Sequence, residues 1–243
     1  ALVVGAACLA TMALAQPIRA SLDADREPSR PIALSGLAAS LRFTLADRGL
    51  RSLAVCSLFF ASVQLCLVTY LVTHLTRNLG FTLVQAGLML TVAQAGGVVA
   101  RILWGAIADR SGRPMLLLAL VALGMGASAA ATAAFTASSP ALAIALTCAA
   151  FGATAIGWNG VFLAEVARLA PRGRAAEATG GVLVFTYFGV MVGPPAFAFL
   201  VEGGTSYAAS YVIVAVPAVL CGLWMLWHEI RGHAGPRDTQ ERP

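Results

Sequence analysis

Residues 81–114 read FTLVQAGLMLTVAQAGGVVARILWGAIADRSGRP. The run 81–108 carries one charge, Arg101. It exceeds the roughly 20 apolar residues a helix needs to cross the hydrocarbon core of a bilayer. It ends abruptly in the polar turn Asp109-Arg110-Ser111-Gly112-Arg113-Pro114, and a second apolar run, 115–135, starts at once. Two such runs joined by a short basic turn describe a transmembrane helical hairpin. Strands are excluded, because the runs are long, rich in Ala, Leu and Gly, and lack a clean period of two. Open sheet edges also have no place in lipid.

Four more runs of spanning length lie outside this hairpin, at 53–75, 141–166, 179–201 and 207–227, with a partial span at 1–16 closed by Gln16-Pro17. The expected fold is therefore all-α, a polytopic transmembrane bundle. Its expected parts are a partial span (1–16), a cytoplasmic central loop (17–52), a six-helix bundle (53–230) and a polar, disordered tail (231–243). Within the loop, Leu34, Leu37, Leu41 and Leu45 recur at near-helical spacing after a polar, proline-containing stretch at 21–31. That pattern suits an amphipathic helix on the inner leaflet or a solvated linker helix.

The composition of the 243 residues, 59% hydrophobic and 11% charged, agrees with this reading. A soluble domain is about 45–50% apolar and about 25% charged. Soluble enzymes, disordered chains and nucleic-acid modules are thereby excluded. Every basic residue is Arg, so a P-loop or Schiff-base lysine is ruled out. Cys8, Cys56, Cys66, Cys148 and Cys221 each sit in an apolar run without a CxxC, so neither a disulfide framework nor a zinc site is expected. Three His residues, with no H-E-x-x-H and no G-x-S-x-G, give no metal, cofactor or catalytic site. The chain opens on Ala inside an apolar run, without the charged n-region of a signal peptide, so an upstream part is expected to be missing.

Arginine placement orients the bundle. With alternating spans, fourteen arginines fall on one side: Arg19 to Arg51 in the long loop, Arg110 and Arg113, Arg168 to Arg174, and Arg231 to Arg242. Arg77 alone falls on the other side. The positive-inside rule then puts the long loop, the Asp109 turn and the C-terminus on the cytoplasmic side of the membrane.

The turn itself carries a motif, G-x-x-x-D-R-x-G-R, formed by Gly105, Asp109, Arg110, Gly112 and Arg113. Gly105 lets another helix approach closely. Asp109 can face the positive N-terminus of a helix in a neighbouring bundle. Arg110 and Arg113 suit the anionic headgroup zone. Gly112 permits a positive φ, and Pro114 suits the first turn of the next helix. The turn reads either as a conformational latch between two bundles or as a basic loop that only sets topology.

This motif, in this loop, closely resembles the loop signature of the major facilitator superfamily of secondary transporters, in the copy carried by their second half. The segment from Gly157-Trp158-Asn159-Gly160 to Glu165 and Arg168, followed by Gly173-Arg174 and Glu177-Ala178-Thr179-Gly180-Gly181, also resembles bacterial permeases of that superfamily. The resemblance implies the end of helix six, the central loop and helices seven to twelve. It implies a permease moving a small solute by alternating access, driven by a proton or solute gradient. The partners it implies are membrane lipid, the solute and a missing N-terminal six-helix half. The competing expectation is a half-size structural or regulatory membrane protein, acting as a dimer or scaffold.

Polar groups inside spans supply the pathway candidates, since they are costly in lipid and tend to face a cavity or a partner. Arg101 either faces the cavity, which tilts the solute toward an organic anion, or snorkels toward the cytoplasm or pins the turn. Gln64 lies near the middle of its span, where it binds solute or bridges two helices. Tyr70, Gln94 and Tyr187 are further candidates, and His74 reads as interfacial. By the resemblance, Trp158 and Asn159 fall in helix ten, which lines the central pathway together with helix seven. Gly189 and Gly193-Pro194-Pro195 interrupt the 179–201 span, as a hinge or as a static bend.

Overall fold

The structure, a computed structural model, describes residues 2–22 and 34–234. Among these residues all regular structure is helical. Two compact units are distinguished, Ala1–Gly36 and Leu37–Pro243. The first contains α1 (Leu2–Leu22), an apolar helix with Pro17 inside it. The sequence closes this run at Gln16-Pro17, but the helix continues to Leu22. A proline already has helical φ and removes only one ladder donor.

The second unit holds the bundle. Its helices are α3 (Arg48–Leu79), α4 (Leu83–Ser111), α5 (Pro114–Ala133), α6 (Ala141–Ala155), α7 (Asn159–Leu169), α8 (Ala175–Glu202) and α9 (Tyr207–Ala234). Among the described residues, with α6 and α7 taken together, six helices are long and apolar enough to span a membrane. They correspond one to one with the six expected runs. The helix α2 (Leu34–Ala46) precedes them. Leu37 and Leu45 of its leucine row are exposed, while Thr44 is buried against Gly181. The Arg174 guanidinium lies 3.9 Å over the Phe43 ring. The expected tail begins at 231, whereas α9 continues to Ala234; the polar stretch at 23–31 and the tail from 235 lie outside the described residues.

Local chemistry sets the helix ends. The Asp47 carboxylate accepts the Leu50 N–H at 2.8 Å, so α3 starts five residues before the apolar run does. Thr82 and Gln85 form a reciprocal capping box at the start of α4. Gly112 closes α4 at φ +62°, its N–H on the Ala108 carbonyl, and Pro114 opens α5.

Packing is dominated by three helix pairs: α3 with α8, α4 with α6, and α5 with α9. Each pair closes on glycine. A Cβ at Gly96 or Gly152 would strike the backbone of the facing helix at Ala149 or Ala93. Gly189 and Gly193 sit equally tightly on Leu58 and Ser62, and Gly222 on Ala122. Lipid tails are as apolar as leucine, so close backbone approach and interhelical hydrogen bonds hold such a bundle together. Across α3 and α8, Ser62 Oγ donates to the Gly189 carbonyl at 3.0 Å, Thr186 Oγ1 to Ser57 Oγ at 2.9 Å, and Tyr70 OH to the Pro194 carbonyl at 2.9 Å. At Gly193-Pro194-Pro195 the chain stays helical: α8 runs as one helix from Ala175 to Glu202 with both prolines inside it. Packing of Gly189 and Gly193 against α3 carries the chain through the two missing donors.

Candidate functional site

The span over 141–169, fourth of the six, is not continuous. The helix α6 ends at Ala155, Ile156-Gly157-Trp158 form a turn, and α7 starts at Asn159. The break falls near the middle of the span, where an unwound segment must find partners for its backbone groups. The Ile156 N–H keeps the Gly152 carbonyl and the Trp158 carbonyl keeps the Phe162 N–H, while two freed carbonyls find donors on α4. Trp104 Nε1 donates to the Ala153 carbonyl at 2.9 Å, and Arg101 Nη2 donates to the Ile156 carbonyl at 3.2 Å. A guanidinium also suits the negative C-terminal end of α6. Gly157 and Gly160 leave room for these two side chains: a Cβ at Gly157 would lie 3.1 Å from Trp104 Cδ1, and one at Gly160 would lie 3.3 Å from Arg101 Cγ.

The side chains that follow the break turn to α3. Trp158 Nε1 and Asn159 Nδ2 both donate to Gln64 Oε1, at 3.1 and 3.2 Å. Asn159 Nδ2 also reaches the Ile156 carbonyl at 3.3 Å. The Trp158 ring is fully buried, edge-on to Phe60 and Phe162 at 5.4 and 5.0 Å between centroids. Gln64 and Asn159 are only half-buried. One amide from the midpoint of α3, one amide from the start of α7 and one guanidinium from α4 thus converge on a broken helix.

The structure brings together four of the sequence candidates: Gln64, Arg101, Trp158 and Asn159. It does not bring in the others. Tyr70 stacks on Phe197 at 4.4 Å and binds Pro194, so it ties α3 to α8 beyond the cluster. Tyr187 is 62% exposed, off the buried stripe that α8 packs on α3. Gln94 is exposed on α4, two turns from Arg101. Arg101 donates to the Ile156 carbonyl of the break, and its side chain remains exposed. His74, read as interfacial, is instead buried among aromatic rings, 6.2 Å from Tyr207 and 6.0 Å from Tyr211. The sequence analysis missed Trp104 and the break itself. Their signals were present: Trp104 lies one turn from Arg101, and Gly152, Gly157 and Gly160 crowd one span.

A second cluster forms at the Asp109 end. A cavity of about 500 Å³ is lined by Gly105, Asp109 and Gly112 of the motif and by Gly160, Glu165 and Arg168 of α7. The Glu165 carboxylate, 1% exposed, takes both Arg168 donors at 2.6 Å. Gly105 has no described atom within 4 Å of a would-be Cβ. Close approach within the bundle is made more than two turns earlier, at Gly96 and Gly97, and not at the motif glycine.

The comparisons with known proteins agree with this architecture. Residues 53–243 match the model of the Major Facilitator Superfamily, and the chain belongs to that family, whose members are membrane transporters and not enzymes. A crystal structure of the E. coli fucose:proton symporter FucP is similar in fold, with a TM-score of 0.64 at 17% identity. The match covers 80% of this chain and 46% of the symporter, so this chain spans less than half the length of that protein. None of the curated proteins matches the chain.

Proposed function

We propose that this chain forms one six-helix bundle of a secondary transporter, and that the α6–α7 break holds the transported solute. The observation that carries the reading is the convergence of Gln64, Asn159 and Arg101 on an interrupted membrane helix. Discontinuous helices near the midplane are where transporters expose backbone and polar groups to a solute. Two half-buried amides suit a small polar solute. The Arg101 guanidinium has more donors than the one on Ile156, which supports an organic anion.

A second bundle completes the transporter in this reading. The spans α4 and α8 are the least buried, at 22% and 28% of their most apolar stretches against 50% for α3 and α5. Val98, Ile102, Tyr187 and Met191 project from them. Exposed faces on two helices of one bundle suit an apposed six-helix partner that rocks against it. The open Gly105 surface and the cavity beside Asp109 suit a latch at the cytoplasmic end, with Arg110 and Arg113 at the headgroups. Tyr70, Gln94 and Tyr187 are secondary to the break, and the Gly189–Pro195 segment serves as a bend that shapes packing. The orientation remains the one the arginines give, C-terminus inside a bacterial-type inner membrane.

Transport by the full-length protein in proteoliposomes tests this function. An imposed proton or solute gradient without ATP is expected to drive uptake of a small polar solute, screened across organic acids, sugars and cations. Uptake that requires ATP, or none for any solute with protein correctly inserted, contradicts it.

A further inference from the structure

An open groove runs along the outside of the bundle, away from the α6–α7 break. Its first part, about 460 Å³, lies between α3 and α9 and is bounded by Arg51, Cys56, Phe59, Pro217, Leu220 and Trp224. Its second part, about 390 Å³, continues between α3, α8 and α9 toward Phe199 and Leu200. Phe59 and Pro217 line both parts, so the two adjoin. The volumes fall in the range of roughly 300–1,000 Å³ that small-molecule sites occupy.

The chemistry of the groove changes along its length. Arg51 and Ser52 are its polar residues at one end, level with Trp224. The Ser52 hydroxyl is spent on the Arg48 carbonyl at 2.7 Å. Arg51 Nη1 donates to the Leu45 carbonyl at 3.1 Å, and the exposed guanidinium keeps further donors. No carboxylate lines either part. The nearest acid in sequence, Asp47, is engaged by the Leu50 N–H. Beyond Ser52 the one hydroxyl is Ser62, which is spent on the Leu58 and Gly189 carbonyls. From Arg51 to Phe59 the groove covers about 12 Å of helix axis, close to the roughly 15 Å of one leaflet.

We infer that this groove is a binding site for an anionic phospholipid of the cytoplasmic leaflet. The phosphate and headgroup meet the Arg51 guanidinium, the glycerol region lies beside the Trp224 indole, and one acyl chain follows Val55, Phe59 and Pro217. Charge complementarity selects the occupant: a cation and an indole stand at interfacial depth above a slot that offers a polar ligand nothing. The inference rests on the membrane orientation proposed above but not on the solute site.

Native mass spectrometry of the full-length protein in detergent, titrated with phosphatidylglycerol and phosphatidylcholine, tests it. Wild-type protein is expected to retain phosphatidylglycerol about fivefold better, the weight of one interfacial Arg. Arg51→Ala is expected to abolish the preference. Arg77→Ala, at the opposite end of α3, keeps it. Val55→Trp fills the slot and lowers retention of both lipids, which separates acyl docking from headgroup attraction. Excess inorganic phosphate leaves the adduct in place. Absence of a preference in wild-type protein overturns the inference, as does persistence in Arg51→Ala, equal loss in Arg77→Ala, undiminished binding in Val55→Trp or displacement by phosphate. Uptake assays are independent of this readout, so the transport reading stands or falls separately.

Discussion

Arg101 Nη2 donates to the carbonyl of Ile156 at 3.2 Å, joining α4 to a backbone group that the α6–α7 break leaves without a helical partner. The same carbonyl accepts Asn159 Nδ2 at 3.3 Å. Two donors on one acceptor make the sites energetically coupled. We expect Arg101→Ala and Asn159→Ala to cost about 1 kcal/mol each in thermal unfolding, because the other donor remains. The double variant should cost more than their sum. Strict additivity would show that the carbonyl is not the shared element.

Gln64 Oε1 holds the buried Trp158 indole N–H. Gln64→Leu leaves that donor unpaired in an apolar surround, at a cost of about 1–3 kcal/mol. Trp158→Phe in the Gln64→Leu background removes the orphan and is expected to recover most of the loss. Unfolding measurements that show no recovery would mean Gln64 acts through packing instead.

At the Asp109 end, Glu165 is buried while its partner Arg168 is 63% exposed. This asymmetry predicts unequal variants. Arg168→Ala strands a buried carboxylate and should destabilise by about 2 kcal/mol, whereas Glu165→Gln leaves a guanidinium that water can solvate and should cost less. Equal losses would place the pair's energy elsewhere.

The latch reading separates stability from transport at one residue. No described atom lies near a Cβ at Gly105, so Gly105→Leu should leave the unfolding temperature of the bundle unchanged. If a second bundle seats on that surface during the transport cycle, the same variant should reduce uptake at least tenfold at equal surface abundance. Unimpaired uptake would leave Asp109 and its neighbours with a topological role only.

The number and extent of the membrane helices were legible because hydropathy and length are one-dimensional properties. The adjacent pair Gly96-Gly97 is legible as a packing position for the same reason, whereas Gly189 and Gly193 read only as part of a hinge or bend. What contacts them is not legible, since Gly152 meets Ala93 only once the fold is formed. At Gly193-Pro194-Pro195 local propensity marks a kink, and the helix nonetheless continues there, with Gly193 packed on Ser62. The true interruption, Ile156-Gly157-Trp158, contains no proline. It depends on donors from Trp104 and Arg101, some fifty residues away in sequence. Gln64, Trp158 and Asn159 were found as polar groups in apolar runs, but their common meeting point at Gln64 Oε1 is a tertiary fact.

The central claim, that solute binds at the α6–α7 break, is tested most directly by uptake kinetics of the full-length protein. The account predicts that Asn159→Ala and Gln64→Ala each raise KM about tenfold, the weight of one hydrogen bond to a bound solute, while Tyr70→Phe, at the Pro194 contact, leaves KM within about twofold. A KM unchanged in both amide variants, or raised as far by Tyr70→Phe, would contradict it.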